Sequence, residues 1–201
     1  NADLHPAGAT RAEVAATVDT IYVFGEPSWV TYLEEKGLID PAKVDSGYQG
    51  NPILATDDVV HQGFVTSEPY TYANLASGPI RTGHVLIHDL GWTNYAQNLA
   101  VRADRLEELR PCLELLVPVL QQAQLDYLAN PARTNARIVE AVRTLDSWWT
   151  QSEASTRESV NKQIELGIVG NGSTPTFGDL EPERLDGFIG ILVPILRAKG
   201  I

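Results

Sequence analysis

Carboxylates, hydroxyls, amides and aromatic rings are concentrated in three short segments of this 201-residue chain. Gly25-Glu26-Pro27-Ser28-Trp29 closes the β-branched and aromatic run Thr20–Phe24, and Thr66-Ser67-Glu68-Pro69-Tyr70 closes a run that starts at Gly63. The third is Gly91-Trp92-Thr93-Asn94-Tyr95. If the runs are strands and the Glu-Pro pairs open helices, these groups lie where open α/β sheets bind ligands, outside the carboxyl ends of the strands. A converging carboxylate, hydroxyls, an amide and aromatic faces suit a small, partly aromatic ligand that carries N–H donors or positive charge. Each group also has a plainer reading. Glu26 reads first as a first-turn acid favoured by the helix macrodipole, and the aromatic rings read as core. Glu68 reads as functional, because Thr66–Tyr70 is polar just where a strand end opens.

Covalent and metal chemistry find less support. His5, His61, His84 and His88 have no metal-site spacing. His84 and His88 would share one face of a strand with Asp89 on the other, and no H-E-x-x-H motif is present. Phosphate-loop, nucleophile-elbow and dinucleotide fingerprints are also absent. Cys112, the single cysteine, falls in an apolar helical region far in sequence from any histidine and reads as a small buried hydrophobe. Asn171-Gly172-Ser173 matches a glycosylation sequon but reads as a turn.

Composition narrows the field further. With 15 Lys plus Arg against 26 Asp plus Glu and no basic run, the chain lacks the clustered cations that a nucleic-acid backbone draws on. Nucleic acid is therefore excluded as a partner. No apolar run approaches the roughly 20 residues of a membrane span. A hydrophobic content of 43% with only 20% charged residues excludes intrinsic disorder.

The elements that must position these groups follow from periodicity and punctuation. Residues 1–19 read as a connector with a short helix over Arg11–Ala16. Thr20–Phe24 reads as a buried strand, followed by a helix opening at Pro27 and stopping at Gly37. A short helix is expected over Ile53–Gln62, a strand over Gly63–Ser67, and another helix from Glu68. His84–His88 and Asn98–Arg102 read as two further strands, so the first half predicts a parallel α/β sheet. From Asp104 the chain reads as helical. Leu113, Leu116, Val117 and Leu120 make one buried stripe, Ile138, Val139, Val142 and Leu145 a second, and Val160, Ile164 and Ile168 a third. Leu185, Phe188, Ile189, Leu192 and Leu196 lie on one face of a last helix. Pro111 suits a first turn, and Pro118 predicts a kink.

Five ordered segments carry a family resemblance. They are Tyr48-Gln49-Gly50-Asn51-Pro52; Gln62 through Tyr72; Leu86-Ile87-His88-Asp89 with Asn94-Tyr95; Arg110-Pro111-Cys112-Leu113; and Gly167 through Gly172. In this order they resemble the extracytoplasmic solute-binding proteins of ABC importers, in the branch that covers nitrate, sulfonates, taurine and thiamine-pyrimidine precursors. The resemblance spans about Thr20 to Gly200. It implies an α/β, periplasmic-binding-protein-like (type II) architecture, with two lobes joined by crossover strands and closing on a ligand like a clamp. Residues 20–85 would be the second lobe, and residues 86–201 the return crossing and the helical part of the first lobe. The opening strands of that first lobe are missing here. Together with the Asn start and the lack of any Met, this predicts a chain cut from something longer.

Carried over position by position, the resemblance makes Glu68 the ligand anchor and Gly25, Ser28, Tyr48, Tyr70, Trp92 and Asn94 further lining. An acidic anchor among aromatics is similar to the pyrimidine-precursor binders. Ser28 and nearby helix-start amides keep sulfonate, taurine or nitrate open. The implied protein is a monomer outside the cytoplasm, periplasmic or lipid-anchored to the outer face of the cell membrane. It would use no metal and no cofactor, make and break no bond, and deliver its small-molecule solute to an ABC transporter permease. Two alternatives stand beside it. One is a pyrimidine-synthesising enzyme of the same fold, which uses a Cys-rich segment that this chain with one Cys lacks. The other is a truncated fragment with an interaction role.

Overall fold

The run Thr20-Ile21-Tyr22 forms β1 (Thr20–Tyr22), the central strand of a three-stranded parallel sheet with β2 (Val44–Asp45) on one side and β3 (Val59–His61) on the other. The structure is a computed structural model, and it describes residues 18–47, 52–54, 58–146 and 149–201. Ile21 is in register with Val44 and Val60, and Tyr22 with Asp45 and His61. The chain is thus mixed α/β with a parallel sheet, as the alternation of strand and helix signals predicts.

Local punctuation sets the first helix. Helix α1 (Ser28–Glu35) begins after Pro27, whose φ of −72° is already suited to a helix entrance. It ends where Gly37 takes a φ of +64°. The Leu38 N–H then reaches back to the Leu33 carbonyl at 2.9 Å and the Gly37 N–H to that of Glu34 at 2.9 Å, the paired bonds of a Schellman stop. Val30 and Leu33 turn inward from this helix.

The middle of the first half differs from expectation. Where a helix is expected over Ile53–Gln62, the described residues form a single 3-10 turn, Pro52–Leu54, and then β3. The strand expected over Gly63–Ser67 is a turn, closed by N–H groups of Ser67 and Glu68 on the Phe64 carbonyl at 2.9 and 3.1 Å. The β-branched pair Val59-Val60 fits the pleated edge of β1 better than a segment opened by glycine. His84–His88 is not a strand either: Ile87–Leu90 is a 3-10 turn ended by Gly91 at φ +99°. Asn98–Arg102 is irregular, with the Asn98 amide on the Tyr95 carbonyl at 2.8 Å. Local hydrogen bonds of this kind compete with sheet pairing. The helix expected over Arg11–Ala16 lies outside the described residues.

The remaining helices are α2 (Glu68–Ala73), α3 (Leu106–Ala129), α4 (Ala132–Thr144), α5 (Glu153–Glu165) and α6 (Pro182–Ala198). The helix-rich second half is as expected. Pro111 lies inside α3 rather than in its first turn, because a 3-10 turn, Ala103–Arg105, precedes the helix. The helix also continues through Pro118, where a kink is expected. Among the described residues no helix is long and apolar enough to cross a membrane.

Two compact units emerge. One holds the described residues up to Asn94 together with Pro182–Ile201; the other is Tyr95–Glu181. The lobe boundary expected at residues 85/86 falls inside the first of these. In the first unit, α1 covers one face of the sheet through Val18, Ile21, Val23 and Val30. A second cluster joins Tyr32, Leu33, Trp92 and Ile195, with Phe188, Ile191 and Leu192 packed against it. The inward face of α6 is therefore Phe188, Ile191, Leu192 and Ile195, and Ile189, expected on the same stripe, is 45% exposed.

The second unit is built differently. Val160 is its one buried hydrophobic side chain among the described residues, beside the buried polar Asn135 and Thr156. Asn135 accepts from the Tyr127 hydroxyl at 2.9 Å, and the Thr156 hydroxyl bonds the Ser152 carbonyl at 3.0 Å. The three stripes expected to be buried are largely open here. Leu116, Val117 and Leu120 on α3 are exposed, as are Ile138, Leu145, Ile164 and Ile168, and so is Cys112. A helical period identifies an apolar face but supplies nothing to cover it.

Candidate functional site

The strand order β2-β1-β3 makes the chain leave β1 toward one neighbour and return to the sheet on the other side. In parallel sheets such a reversal is where a ligand crevice is expected, at the carboxyl ends of the neighbouring strands whose connections run to opposite sides, here β1 and β3. Two loops meet there. Residues 23–27 follow β1, and residues 62–67 follow β3.

Gln62 joins them. Its N–H extends the ladder to the Tyr22 carbonyl at 2.8 Å, while its side-chain Oε1 accepts from the Phe24 N–H at 3.0 Å. Gly25 follows with a φ of +65° and open space around the position a Cβ would take. The Glu26 carbonyl accepts from the Lys199 ammonium at 3.3 Å, which fixes the end of this loop to the last residues of α6's own unit. Ser28 is the first helical residue of α1, behind a proline cap that offers no side-chain acceptor.

On the β3 side, Glu68 folds back over its own loop. Its Oε2 accepts from the Phe64 N–H at 2.8 Å. A Cβ on Gly63 would come within 3.1 Å of the Glu68 carboxyl carbon, so glycine is what lets the carboxylate lie so close. Glu68 is only half-buried. Tyr70 is half-buried on α2, with its carbonyl taken by the Asn74 amide at 2.8 Å.

The group that sequence reasoning missed is His61, the last residue of β3. Its Nε2 lies 2.9 Å from the hydroxyl of Tyr72, a side chain only 2% exposed. The two rings meet edge to face with centroids 5.7 Å apart. Burial lowers the His61 pKa from its ordinary 6.5, against the opposing pull of a hydrogen bond to the Gln62 backbone and of the Glu68 carboxylate. Which of the two groups donates across the 2.9 Å depends on the imidazole tautomer. Once β3 is mistaken for helix, nothing in the sequence singles out this histidine.

The other expected positions lie elsewhere. Trp92 is 8% exposed and fills the second core cluster, 5.6 Å from the Tyr32 ring and 4.9 Å from Phe188. Of the two readings of this aromatic, the structure takes the core one. Asn94 contributes its carbonyl to the Arg184 guanidinium at 3.0 Å, beside the Thr93 carbonyl on the same group at 2.9 Å. Tyr48 lies outside the described residues. The structure thus brings the Gly25–Ser28 loop and the Glu68 loop together through Gln62, and keeps Trp92 and Asn94 with the packing of α6.

Chemically, the crevice offers hydrogen-bond acceptors: a carboxylate and carbonyls, with a neutral imidazole behind them. Among the described residues no three His, Cys, Asp or Glu side chains gather as a metal site requires. Neither a scan of protein-family models nor searches of curated proteins and of solved structures finds a match to this chain.

Proposed function

We propose that this chain is a solute-binding protein of an ABC importer, with the type II, two-lobe architecture that its sequence resembles. It captures a small N-heterocycle of the thiamine-pyrimidine-precursor kind outside the cytoplasm and passes it to a membrane permease, without catalysis. The observation that supports this reading is the tie between the two loops at the β1/β3 crevice, where Gln62 accepts from Phe24. It holds the Gly25 loop and the Glu68 loop in fixed register before any ligand arrives, and such preorganisation cuts the ordering cost of binding. The acceptors gathered there match a ligand rich in N–H donors.

A second reading draws on α1. Its Pro27 cap supplies no side-chain acceptor, so the first amides beside Ser28 remain for a sulfonate, taurine or nitrate.

Calorimetry on the chain against a 4-aminopyrimidine, taurine, an alkanesulfonate and nitrate separates the two. The aminopyrimidine is expected to bind, and Glu68→Gln to weaken it at least tenfold, since a hydrogen bond to a charged group is worth about 1.5–3 kcal/mol. Tight binding of an anion with no effect of Glu68→Gln overturns the pyrimidine reading. Turnover of any bound solute overturns the transport reading altogether.

A further inference from the structure

We propose that Asn171-Gly172 is a self-modifying site, where the chain loses the Asn171 amide as ammonia and thereby loosens the turn between α5 and α6. It is the only Asn-Gly pair in the sequence, and it lies in an exposed turn of the second unit. The Asn171 Nδ2 donates to the Pro175 carbonyl at 3.0 Å, and since a carbonyl only accepts, this contact fixes which end of the amide is nitrogen. Among the described residues no group accepts from the Gly172 N–H. With no side chain on Gly172, its nitrogen is open to the side-chain carbonyl carbon of Asn171. Asn135 and Asn161 differ, because they lie inside α4 and α5, where the next N–H belongs to the helix ladder. Asn135 is also buried.

The reaction needs only water. The Gly172 nitrogen, deprotonated by hydroxide, attacks Cγ of Asn171; the N–Cγ bond forms, the Cγ–Nδ2 bond breaks, and Nδ2 takes a proton from water and leaves as ammonia. Ring closure is favoured because nucleophile and carbonyl are neighbours on one chain. A water molecule then opens the cyclic imide at either carbonyl, so one water is consumed for each ammonia released. The product is aspartate or isoaspartate, the latter with its backbone routed through the former side chain. Either product replaces a donor with a carboxylate, which cannot donate to the Pro175 carbonyl, and the tie across the turn is lost. The new charge also arrives beside an old one. The Glu181 carboxylate accepts from the Ser173 N–H at 3.1 Å and from the Ser173 hydroxyl, and its Oε1 is 3.5 Å from where a Cβ on Gly172 would sit. Like charges repel across so short a turn. Further along, the Gln121 amide holds the Phe177 carbonyl at 2.6 Å and the Tyr95 hydroxyl accepts from the Glu181 N–H at 3.0 Å, so the loosening is confined to residues 171–175. None of this depends on the solute reading, whose crevice lies in the first unit.

The test is peptide mass spectrometry on the full chain, aged at neutral and at mildly alkaline pH. The peptide that carries Asn171 should exchange its amide for an acid at least about fivefold faster than those with Asn135 and Asn161, whose attacking N–H is held by a helix hydrogen bond. The rate should rise with pH, because the nucleophile is the deprotonated amide. The product should contain isoaspartate as well as aspartate, which direct hydrolysis does not make. Asn171→Gln, which would have to close a larger ring, should stay unconverted over the same period. In Asn171→Asp, amide exchange at Ser173 should be about fivefold faster than in freshly made wild type, the equivalent of one net hydrogen bond. Conversion at Asn171 no faster than at the helical asparagines, or aspartate without isoaspartate, overturns the site. Unchanged exchange at Ser173 in Asn171→Asp overturns the loosening of the turn.

Discussion

Two stretches of nearly the same sequence meet opposite fates in this molecule. Ile191-Leu192-Val193-Pro194-Ile195-Leu196 lies in α6, and Leu115-Leu116-Val117-Pro118-Val119-Leu120 lies in α3. Ile195 is 1% exposed, whereas Val119, at the equivalent place, is 62% exposed and Leu115 is 76% exposed. The first belongs to the unit with the sheet, the second to the unit of helices. The difference lies in the neighbours: Ile195 meets Tyr32, Leu33 and Trp92, aromatic and apolar groups supplied by α1 and by the segment after the Ile87–Leu90 turn. Among the described residues no comparable group covers Val119. Apolar character makes a residue a candidate for burial, and complementary surface decides whether the burial occurs.

The two units consequently hold themselves together in different ways. The first relies on two packed clusters of side chains, one between the sheet and α1 and one that joins α1, Trp92 and α6. The second relies on local devices: a capping box in which Ser152 and Ser155 exchange side-chain and backbone bonds, a Schellman stop at Gly167, and i, i+3 ion pairs such as Arg105 with Glu108. Such pairs at the surface add little individually.

Ile195→Ala should break the comparison most sharply if it is wrong. Truncating this side chain is expected to cost about 2–5 kcal/mol, seen as a lower denaturant midpoint for the first unit. Ser152→Ala should cost about 1 kcal/mol and act on the second unit alone, visible as faster amide exchange in the first turn of α5. A shallower effect is expected with pH. His61 is held neutral in the folded chain, so on acidification the unfolded chain takes up its proton first. The stability this histidine contributes is complete above the ordinary value of 6.5 and declines as pH falls through it. Urea titrations of wild type and His61→Gln should therefore converge on acidification. The smallest effect belongs to Val119→Ala, expected within about 0.5 kcal/mol of wild type. A cost like that of Ile195→Ala would show that α3 is covered after all.

Legibility in the sequence followed the range of the interactions. Helix α1 could be read because Pro27 and Gly37 act on their own neighbours, and α2 because Glu68-Pro69 announces a helix start. Strand β3 could not, since three residues become a strand only by pairing with β1, some forty positions upstream. With β3 displaced, His61 and Gln62 lost their place at the crevice, although Gly25, Ser28 and Glu68 kept theirs. Trp92 showed the limit of composition: an aromatic ring in a polar loop fits a ligand or a core equally well until its neighbours are known.

The closing of the first unit by Pro182–Ile201 has a consequence in time. A chain is made from its amino end, so β1, α1 and the Trp92 segment emerge early, with one side of their cluster uncovered. The helix that carries Ile195 emerges only after all of Tyr95–Glu181 has passed. The entropy of closing so long a loop grows only slowly with its length, so the final structure pays little for the detour. The growing chain instead waits with Tyr32 and Leu33 exposed, and during synthesis this aromatic patch is where a chaperone would find its first hold.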